Sequence, residues 1–271
     1  MRALILAVLM VAAAGAGRAQ APAGGEINQI YDALRDSVFP QIASGGSWQT
    51  TITLYNMDTV PSTATIRFFN ANGAMPLKFV GIPEPAAQLG IQLPINGSVV
   101  LQTEGDGPLQ QGFALLIRTA PLGNGGKIGG VAVFRQRVAG RPDFEAAVPL
   151  SPITERRFRL FYDHTQGFAT GVALVSYATD SSGNVINTPT EIEVEWWDMD
   201  GVRLGFGSLT VGPLGYAAFS LTDQIPALAG RRGIIEFRAL KDFMGAIGLR
   251  FQSAGPFTTL PPASLPEWHR Y

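Results

Sequence analysis

The stretch TIRFFNANG, residues 65–73, returns 128 residues later as EVEWWDMDG, residues 193–201. In both stretches polar and apolar side chains alternate up to an aromatic pair, and Asn-x-Asn-Gly or Asp-x-Asp-Gly follows. Alternation with period two predicts a half-buried β-strand, and Asx residues followed by glycine are typical of a tight turn. The chain therefore encodes the same strand and turn twice.

Three more pairs of stretches repeat in the same order along the chain. GSWQTTITLYN (46–56) matches QGFATGVALVS (166–176), GFALLIRT (112–119) matches GIIEFRA (233–239), and GGVAVFRQRVAGRPDFEAAVPLSP (129–152) matches GAIGLRFQSAGPFTTLPPAS (245–264). Four pairs in one order indicate an internal duplication. We predict two copies of one unit, residues 38–152 and residues 157–264, with a C-terminal tail over 265–271.

Each copy is predicted to be all-β. Apolar residues alternate with polar ones around Ile52 and Leu54 in the first copy and around Val172 and Leu174 in the second. Clusters of Gly, Pro and Asn interrupt these runs, so about six or seven strands fall within each copy. We therefore expect two tandem antiparallel β-sandwich modules of immunoglobulin-like architecture. The chain has no cysteine, so the Cys…Trp…Cys pattern of true immunoglobulin domains is missing.

The sequence resembles a family of secreted, uncharacterised bacterial proteins with tandem β-sandwich repeats of about 110–120 residues. WQTTITLYN, RFFNANG, GGVAVFRQR and DFEAAVPLS, followed by a second copy, carry the resemblance over residues 38–264. The resemblance implies the fold and export from the cell. It carries no site residues, because the family has no assigned activity.

Residues 1–19 have the layout of a secretory signal peptide. Arg2 precedes an apolar run that ends at Ala14, and small residues surround a cleavage site after Ala19. The run is shorter than the roughly 20 apolar residues that a membrane-spanning helix needs. We expect a secreted protein, extracellular or periplasmic, with no membrane span once the signal is cleaved.

Residues 20–37 are predicted to form a linker and a short amphipathic helix. The apolar residues with helical spacing are Ile27, Ile30, Tyr31, Leu34 and Val38. We expect the helix to pack on the first copy as a cap or spacer. A helix that docks a partner is the alternative.

The charge balance and the absence of cysteine exclude several classes of function. The chain has 20 Lys and Arg against 21 Asp and Glu. Removal of residues 1–19 takes away Arg2 and Arg18, which leaves 18 basic against 21 acidic residues, a net charge of −3. This balance argues against nucleic acid as a partner. Without cysteine there are no disulfides, thiolate metal sites or cysteine nucleophiles.

No catalytic motif is evident, and we expect a protein that is not an enzyme. The two histidines are His164, in a turn before a strand of the second copy, and His269, close to the C-terminus. Neither lies in a nucleophile elbow, a zinc-protease motif or a phosphate-binding loop. We assign no catalytic residue and no cofactor.

Acidic residues near the aromatic pair offer two further hypotheses. Glu191, Glu193 and Glu195 lie on one face of a strand, where a solvated face explains them better than the two carboxylates across a cleft that a glycosidase needs. Asp198 and Asp200 begin an Asp-x-Asp-Gly, but oxygen ligands are missing at later positions of a calcium loop. We expect a hairpin turn there and no metal site.

The aromatic pairs provide the candidate binding residues. Period-two phasing points Trp196 inward with Ile192 and Val194, and Trp197 outward with Glu193 and Glu195. Phe69 takes the place of Trp197 in the first copy. The possible ligand or partner surface is therefore Phe69, Trp197, Glu193 and Glu195. The alternative is that these rings cover the contact between the copies or a loop.

The function that these features favour is a non-enzymatic exported β-sandwich protein, a structural, adhesion or envelope-matrix component. Its partner would be an envelope or extracellular protein, or a polysaccharide. The alternative is a pair of carbohydrate-binding modules that use outward aromatic rings; a secreted hydrolase of unfamiliar type is a third reading. The copies also differ in length at loops 78–90 and 177–190, where function or neutral drift explains the difference.

Overall fold

The computed structural model describes residues 36–118, 127–177, 189–212, 215–240, 242–252 and 255–265. The predicted signal peptide, most of the predicted helix and most of loop 177–190 lie outside these residues. Residues 36 and 37, the last of the predicted linker and helix, are among the described residues. They belong to a β-strand, so this part of the prediction is wrong. Val38, which completes its apolar stripe, is fully buried in a β-strand that begins at Asp36.

The described residues of the first half fold into ten strands. They are β1 Asp36–Ser44, β2 Trp48–Asn56, β3 Ser62–Asn70, β4 Gly73–Ala74, β5 Gln88–Leu93, β6 Ser98–Gln102, β7 Gln110–Arg118, β8 Ile128–Gln136, β9 Phe144–Pro149 and β10 Ser151–Pro152. Strand β1 begins two residues before the predicted start of the first copy.

The second half folds into nine strands and one short helix within the described residues. The strands are β11 Arg157–Asp163, β12 Phe168–Tyr177, β13 Thr190–Asp198, β14 Arg203–Val211, β15 Tyr216–Ser220, β16 Arg232–Ala239, β17 Phe243–Gln252, β18 Phe257–Leu260 and β19 Ala263–Ser264; helix α1 is Leu221–Gln224, and a 3-10 turn follows at Pro226–Leu228. None of the described helices is long and apolar enough to cross a membrane.

Every pairing among the described strands is antiparallel, and these strands form four sheets. The first half contains a β1 sheet, ordered β10-β1-β7-β3 with β4 and β5 beside β3, and a β2 sheet, ordered β6-β2-β8-β9. The second half contains a β11 sheet, ordered β19-β11-β16-β13-β14, and a β12 sheet, ordered β15-β12-β17-β18. The order of equivalent strands is the same in both halves.

The predicted all-β class and antiparallel pairing are confirmed, and the burial pattern is consistent with a β-sandwich. Ile66 and Phe68 of the β1 sheet lie in one buried cluster with Ile52 and Leu54 of the β2 sheet. Along β13 buried and more exposed residues alternate from Thr190 to Trp196. The hydrophobic effect thus places the core between the two sheets of each half.

A threonine hydroxyl holds the corner where the chain crosses between sheets. In the first half Thr50 Oγ1 donates to the Ala43 carbonyl at 2.6 Å and accepts from the Ala43 N–H at 3.3 Å. In the second half Thr170 Oγ1 bonds the same two backbone groups of Asp163, at 3.3 and 2.9 Å. All four residues are buried, so one hydroxyl satisfies a donor and an acceptor that water does not reach.

The two halves share a buried interface. One apolar cluster contains Phe113 and Trp48 of the first half together with Tyr216 and Phe257 of the second. The Phe113 and Tyr216 rings stack with centroids 5.8 Å apart, and those of Trp48 and Phe257 lie 5.2 Å apart. The Tyr216 hydroxyl donates to Gln41 Oε1 at 2.6 Å. Aromatic contacts of this kind add to simple burial of area, so the halves stabilise each other.

Loop 78–90 of the first half is part of the core. Phe79 is fully buried, with its ring centroid 5.1 Å from that of Phe68, and Leu77 pairs with Ala86. Val80 N–H donates to the Gln102 carbonyl at 2.8 Å, which ties the loop to β6. The extra segment of the first copy therefore adds Phe79 to its core.

Removal of the Thr170 hydroxyl tests the corner. We expect Thr170→Val to lower the free energy of unfolding by about 1–3 kcal/mol, because the buried N–H and carbonyl of Asp163 lose their partner. Thr170→Ser keeps the hydroxyl and should cost clearly less. Urea denaturation of both variants and the wild type gives the comparison. A larger loss for Thr170→Ser than for Thr170→Val would show that the methyl group, and not the hydroxyl, matters.

Candidate binding face

The outer face of the β11 sheet is the candidate site. Its side chains come from four adjacent strands, and antiparallel pairing places them in rows. The first row, in the middle, consists of Phe206, Glu195, Glu236 and Arg159. The second row lies on one side of it and consists of Ser208, Glu193, Arg238 and Arg157. The third row lies on the other side and consists of Arg203, Trp197, Ile234 and Phe161. Residues that stand opposite each other on neighbouring strands share a face, so these side chains form one surface.

Ion pairs across the strands occupy the first two rows. Glu236, 6% exposed, accepts from Arg157 Nε at 2.5 Å and from Arg159 Nε at 2.7 Å. Glu193 accepts from Arg238 at 3.0 Å in a more exposed pair. Charge-assisted bonds to a buried carboxylate are strong, whereas exposed pairs contribute about 0–1 kcal/mol. Glu236 and its two arginines therefore form the most strongly bonded group of the face.

The third row carries an apolar strip, formed by Trp197, Ile234 and Phe161, all partly exposed. The Arg159 guanidinium lies over the Trp197 ring, 5.2 Å from its centroid. On the edge strand Phe206 is 70% exposed, with Arg203 5.1 Å from its ring centroid. Aromatic rings and arginines are enriched at protein interfaces, so this part of the face suits a binding surface.

The two tryptophans lie on opposite sides of β13, as period-two phasing predicts. Trp196 is 9% exposed and its ring lies against Gly205. A Cβ at Gly205 would come within 2.4 Å of the indole, so glycine makes room for the ring. Trp197 is only half-buried, and its carbonyl accepts from the Tyr162 hydroxyl at 3.2 Å.

Phe69 is not a surface residue, and the prediction of an exposed ring there is wrong. It is 6% exposed and stacks on Phe113, with centroids 5.3 Å apart. It does point away from Phe68, but the face it joins is covered, because Phe113 in turn stacks on Tyr216 of the second half. Of the four candidate residues, Glu193, Glu195 and Trp197 share the outer face of the β11 sheet, whereas Phe69 lies in a different sheet.

The same face is therefore buried in the first half and open in the second. Val38 and Leu115, opposite each other on β1 and β7, are fully buried, and Val38 touches Gly245 of the second half. The residues in equivalent positions of the second half are Arg159 and Glu236. At these two positions the covered copy of the face has apolar residues, and the uncovered copy has charged ones.

The Asp-x-Asp-Gly forms the predicted turn. Asp198 Oδ1 accepts from the N–H groups of Asp200 at 3.0 Å and Val202 at 2.9 Å, and Gly201 has a positive φ of 78°. In the first half Asn70 Oδ1 accepts from Asn72 N–H in the same way. These are Asx-turn bonds. Within the described ranges, no group of three or more His, Asp or Glu side chains is placed to hold a metal ion.

His164 lies apart from the outer face, at the buried corner between β11 and β12. It is 9% exposed, and its Nε2 has no hydrogen-bond partner among the described residues. Burial lowers the pKa of His164, and the Asp163 carboxylate opposes that effect. Burial tends to raise the pKa of Asp163, but bonds from Thr165 and Arg250 outweigh it and hold that pKa below its usual value.

Several residues of the face escaped sequence reasoning. Arg159, Glu236 and Phe161 lie on strands that are distant in sequence from β13. Alternation along β11 and β16 shows that these side chains share a face of their own strand, but not which strand lies beside it. Phe206 carried a usable signal, because it stands between two glycines in a run of strand-forming residues.

Comparisons with protein-family models, with curated proteins and with solved structures find no match to this chain. Any role of the outer face therefore has to be inferred from its own residues.

The contrast between the tryptophans gives a test of strand register. Truncation of a buried Trp removes its transfer energy and leaves a cavity, so Trp196→Ala should cost about 3–5 kcal/mol. Trp197→Ala should cost about 1 kcal/mol, since it loses a partly solvated ring and one cation–π contact. Urea melts of the two variants give both values. A larger loss for Trp197→Ala would mean that the strand faces are reversed.

His164 should make stability depend on pH. Because its folded pKa is lowered, the unfolded chain binds a proton first, at its ordinary pKa of about 6.5. The contribution of the neutral imidazole is thus present above about pH 6.5 and is lost as pH falls through the folded pKa. Thermal melts between pH 8 and pH 5 should show a smaller decrease for His164→Gln than for wild type. His269→Gln is the control, and an equal change in both variants would contradict the assignment.

Proposed function

We propose that this chain is a non-enzymatic, exported β-sandwich protein that serves as a structural or adhesion component of an envelope or extracellular matrix. Its partner binds the outer face of the β11 sheet. The support comes from one observation: the face that docks onto the second half in the first copy is open in the second copy. There it carries Trp197, Phe161 and Arg159 in place of a covering sheet.

The chemistry of the face favours a macromolecular partner over a small substrate. Charges at the centre of the face are paired with one another, as in Glu236 with Arg157 and Arg159. Carboxylates that are already bonded to arginines are poorly placed to act as a general acid or base. They provide a polar border along one side of the apolar strip, and an apolar patch with polar groups beside it resembles a protein interface.

An immunoglobulin-related topology is part of the proposal. The pairings β2–β6 and β3–β7 match those of immunoglobulin strands B with E and C with F. The first and last long strands depart from that pattern. Strand β1 pairs with β7, where the immunoglobulin G strand would lie, and β8 pairs with β2, where the A strand would lie. The proposal is thus a related sandwich with these two strands exchanged.

A polysaccharide is the second candidate partner, and the exposed Phe206 favours it. Phe206 and Trp197 stand on neighbouring strands of one face, with glutamates and arginines around them. Rings of this kind stack on sugars while charged groups bond hydroxyls. Against this, Arg159 already occupies one side of the Trp197 ring, so that ring offers a sugar only its remaining surface.

The test is binding of the full chain to envelope and matrix material. The chain is expressed in a bacterial host that secretes it, and cell-envelope and extracellular-matrix fractions are prepared from the same cells. We expect an intact mass that lacks the first 19 residues and co-sedimentation with one fraction. Trp197→Ser should weaken that binding about tenfold or more, because loss of a central aromatic at an interface typically costs over 1 kcal/mol.

Tyr55→Ser is the matched control. Tyr55 is an aromatic residue on β2, is 43% exposed, and lies in another sheet of the first half. Binding should survive this change. Retention on protein-free polysaccharide would assign the carbohydrate partner, and sensitivity to protease treatment of the fraction would assign a protein. Failure to bind either fraction, or equal loss in both variants, would contradict the proposed face.

A further inference from the structure

Strand β14 is the longest strand at the end of any of the four sheets. It has nine residues, Arg203–Val211, whereas the other end strands have six or fewer. Within the described residues it pairs with β13 alone. A strand paired on one side leaves about half of its backbone N–H and carbonyl groups without a sheet partner, and such an edge is a template for another strand.

The equivalent edge of the first half is different. Strand β5 has six residues, and the segment before it leaves the sheet to bury Leu77 and Phe79. The second half lacks this segment, and β14 continues to full length. Most of β14 is solvent-exposed, and Phe206 at its centre is 70% exposed, the highest value among the exposed large hydrophobic residues.

The sequence of β14 has few of the features that block strand addition. Natural edges are protected by charges, prolines or bulges. The register shifts once, between Trp196 and Trp197, so that Leu204 is an extra residue at one end of β14. The remaining ladder, residues 205–211, reads GFGSLTV and contains neither a charge nor a proline.

This ladder carries no charge that would oppose its pairing with a second copy of itself. An antiparallel pair centred on Ser208 would set Phe206 of one copy opposite Thr210 of the other, on the same face. No like charges would then stand opposite each other along residues 205–211. The nearest glutamates, Glu193 of each copy, would lie three strand spacings apart, about 14 Å. That exceeds the screening length of about 8 Å at physiological salt.

We propose that two copies of this chain associate through β14, paired antiparallel about a two-fold axis near Ser208. A two-fold contact of one surface with itself is the commonest way in which soluble chains associate. The two β11 sheets would join into one continuous sheet, with their outer faces on the same side. This inference is independent of what the outer face binds.

Sedimentation of the mature wild-type chain from about 1 µM to about 500 µM tests the proposal, since an interface formed by one strand pair is expected to be weak. We expect the mass to rise from one chain to two. Ser208→Lys places two cations opposite each other at the axis and should raise the dissociation constant at least about tenfold. Ser98→Lys, an exposed serine on edge strand β6, is the matched control and should leave the dimer intact.

A mixing experiment separates charge repulsion from misfolding. Ser208→Lys and Ser208→Glu should each be monomeric alone, whereas an equimolar mixture should form a dimer, because the two substituted side chains attract. A dimer from the mixture supports the two-fold pairing. Wild-type chain that stays monomeric at every concentration overturns it. A dimer that persists in Ser208→Lys overturns it as well, since the contact must then lie elsewhere.

Discussion

The fold depends on how the chain changes sheets without leaving buried backbone groups unpaired. At the first crossing of each half, Thr50 or Thr170 bonds both the N–H and the carbonyl of the residue seven positions earlier. At the next crossing a second polar pair is buried, with Ser62 donating to Asn56 in one half and Ser176 bonded to Thr190 in the other. Buried polar groups are costly unless satisfied, so these short side chains decide where each crossing lies.

Period-two patterning predicted the strands well, because burial of alternate side chains is a local property. Trp196 is inside and Trp197 outside, as their phase required. The same reasoning failed for Phe69, since alternation assigns a residue to a face of its sheet and does not show whether another sheet covers that face. The helical spacing mispredicted Val38, because consecutive apolar residues such as Val38 and Phe39 also fit a strand that is buried on both faces.

The differences between the copies carry more information about the contact between the halves than their similarities do. Thr53 of β2 is matched by Ala173 of β12, and Val100 of β6 by Ala218 of β15. The residues of the second half are buried against the first, whereas Val100 is 60% exposed. Comparison of the copies could not predict the ion pairs on the outer face. Arg159 and Glu236 are 77 residues apart, and no local sequence pattern connects them.

The interface between the halves is asymmetric, and this asymmetry determines whether further units could be added. The β1 sheet of one unit packs on the β12 sheet of the next, so two different surfaces meet. Contacts of that type can be repeated without end and build filaments. Here the series stops after one step, because Val38 and Leu115 give way to Arg159 and Glu236 on the second unit. Those paired charges act as an end cap, as polar terminal repeats do in solenoid proteins.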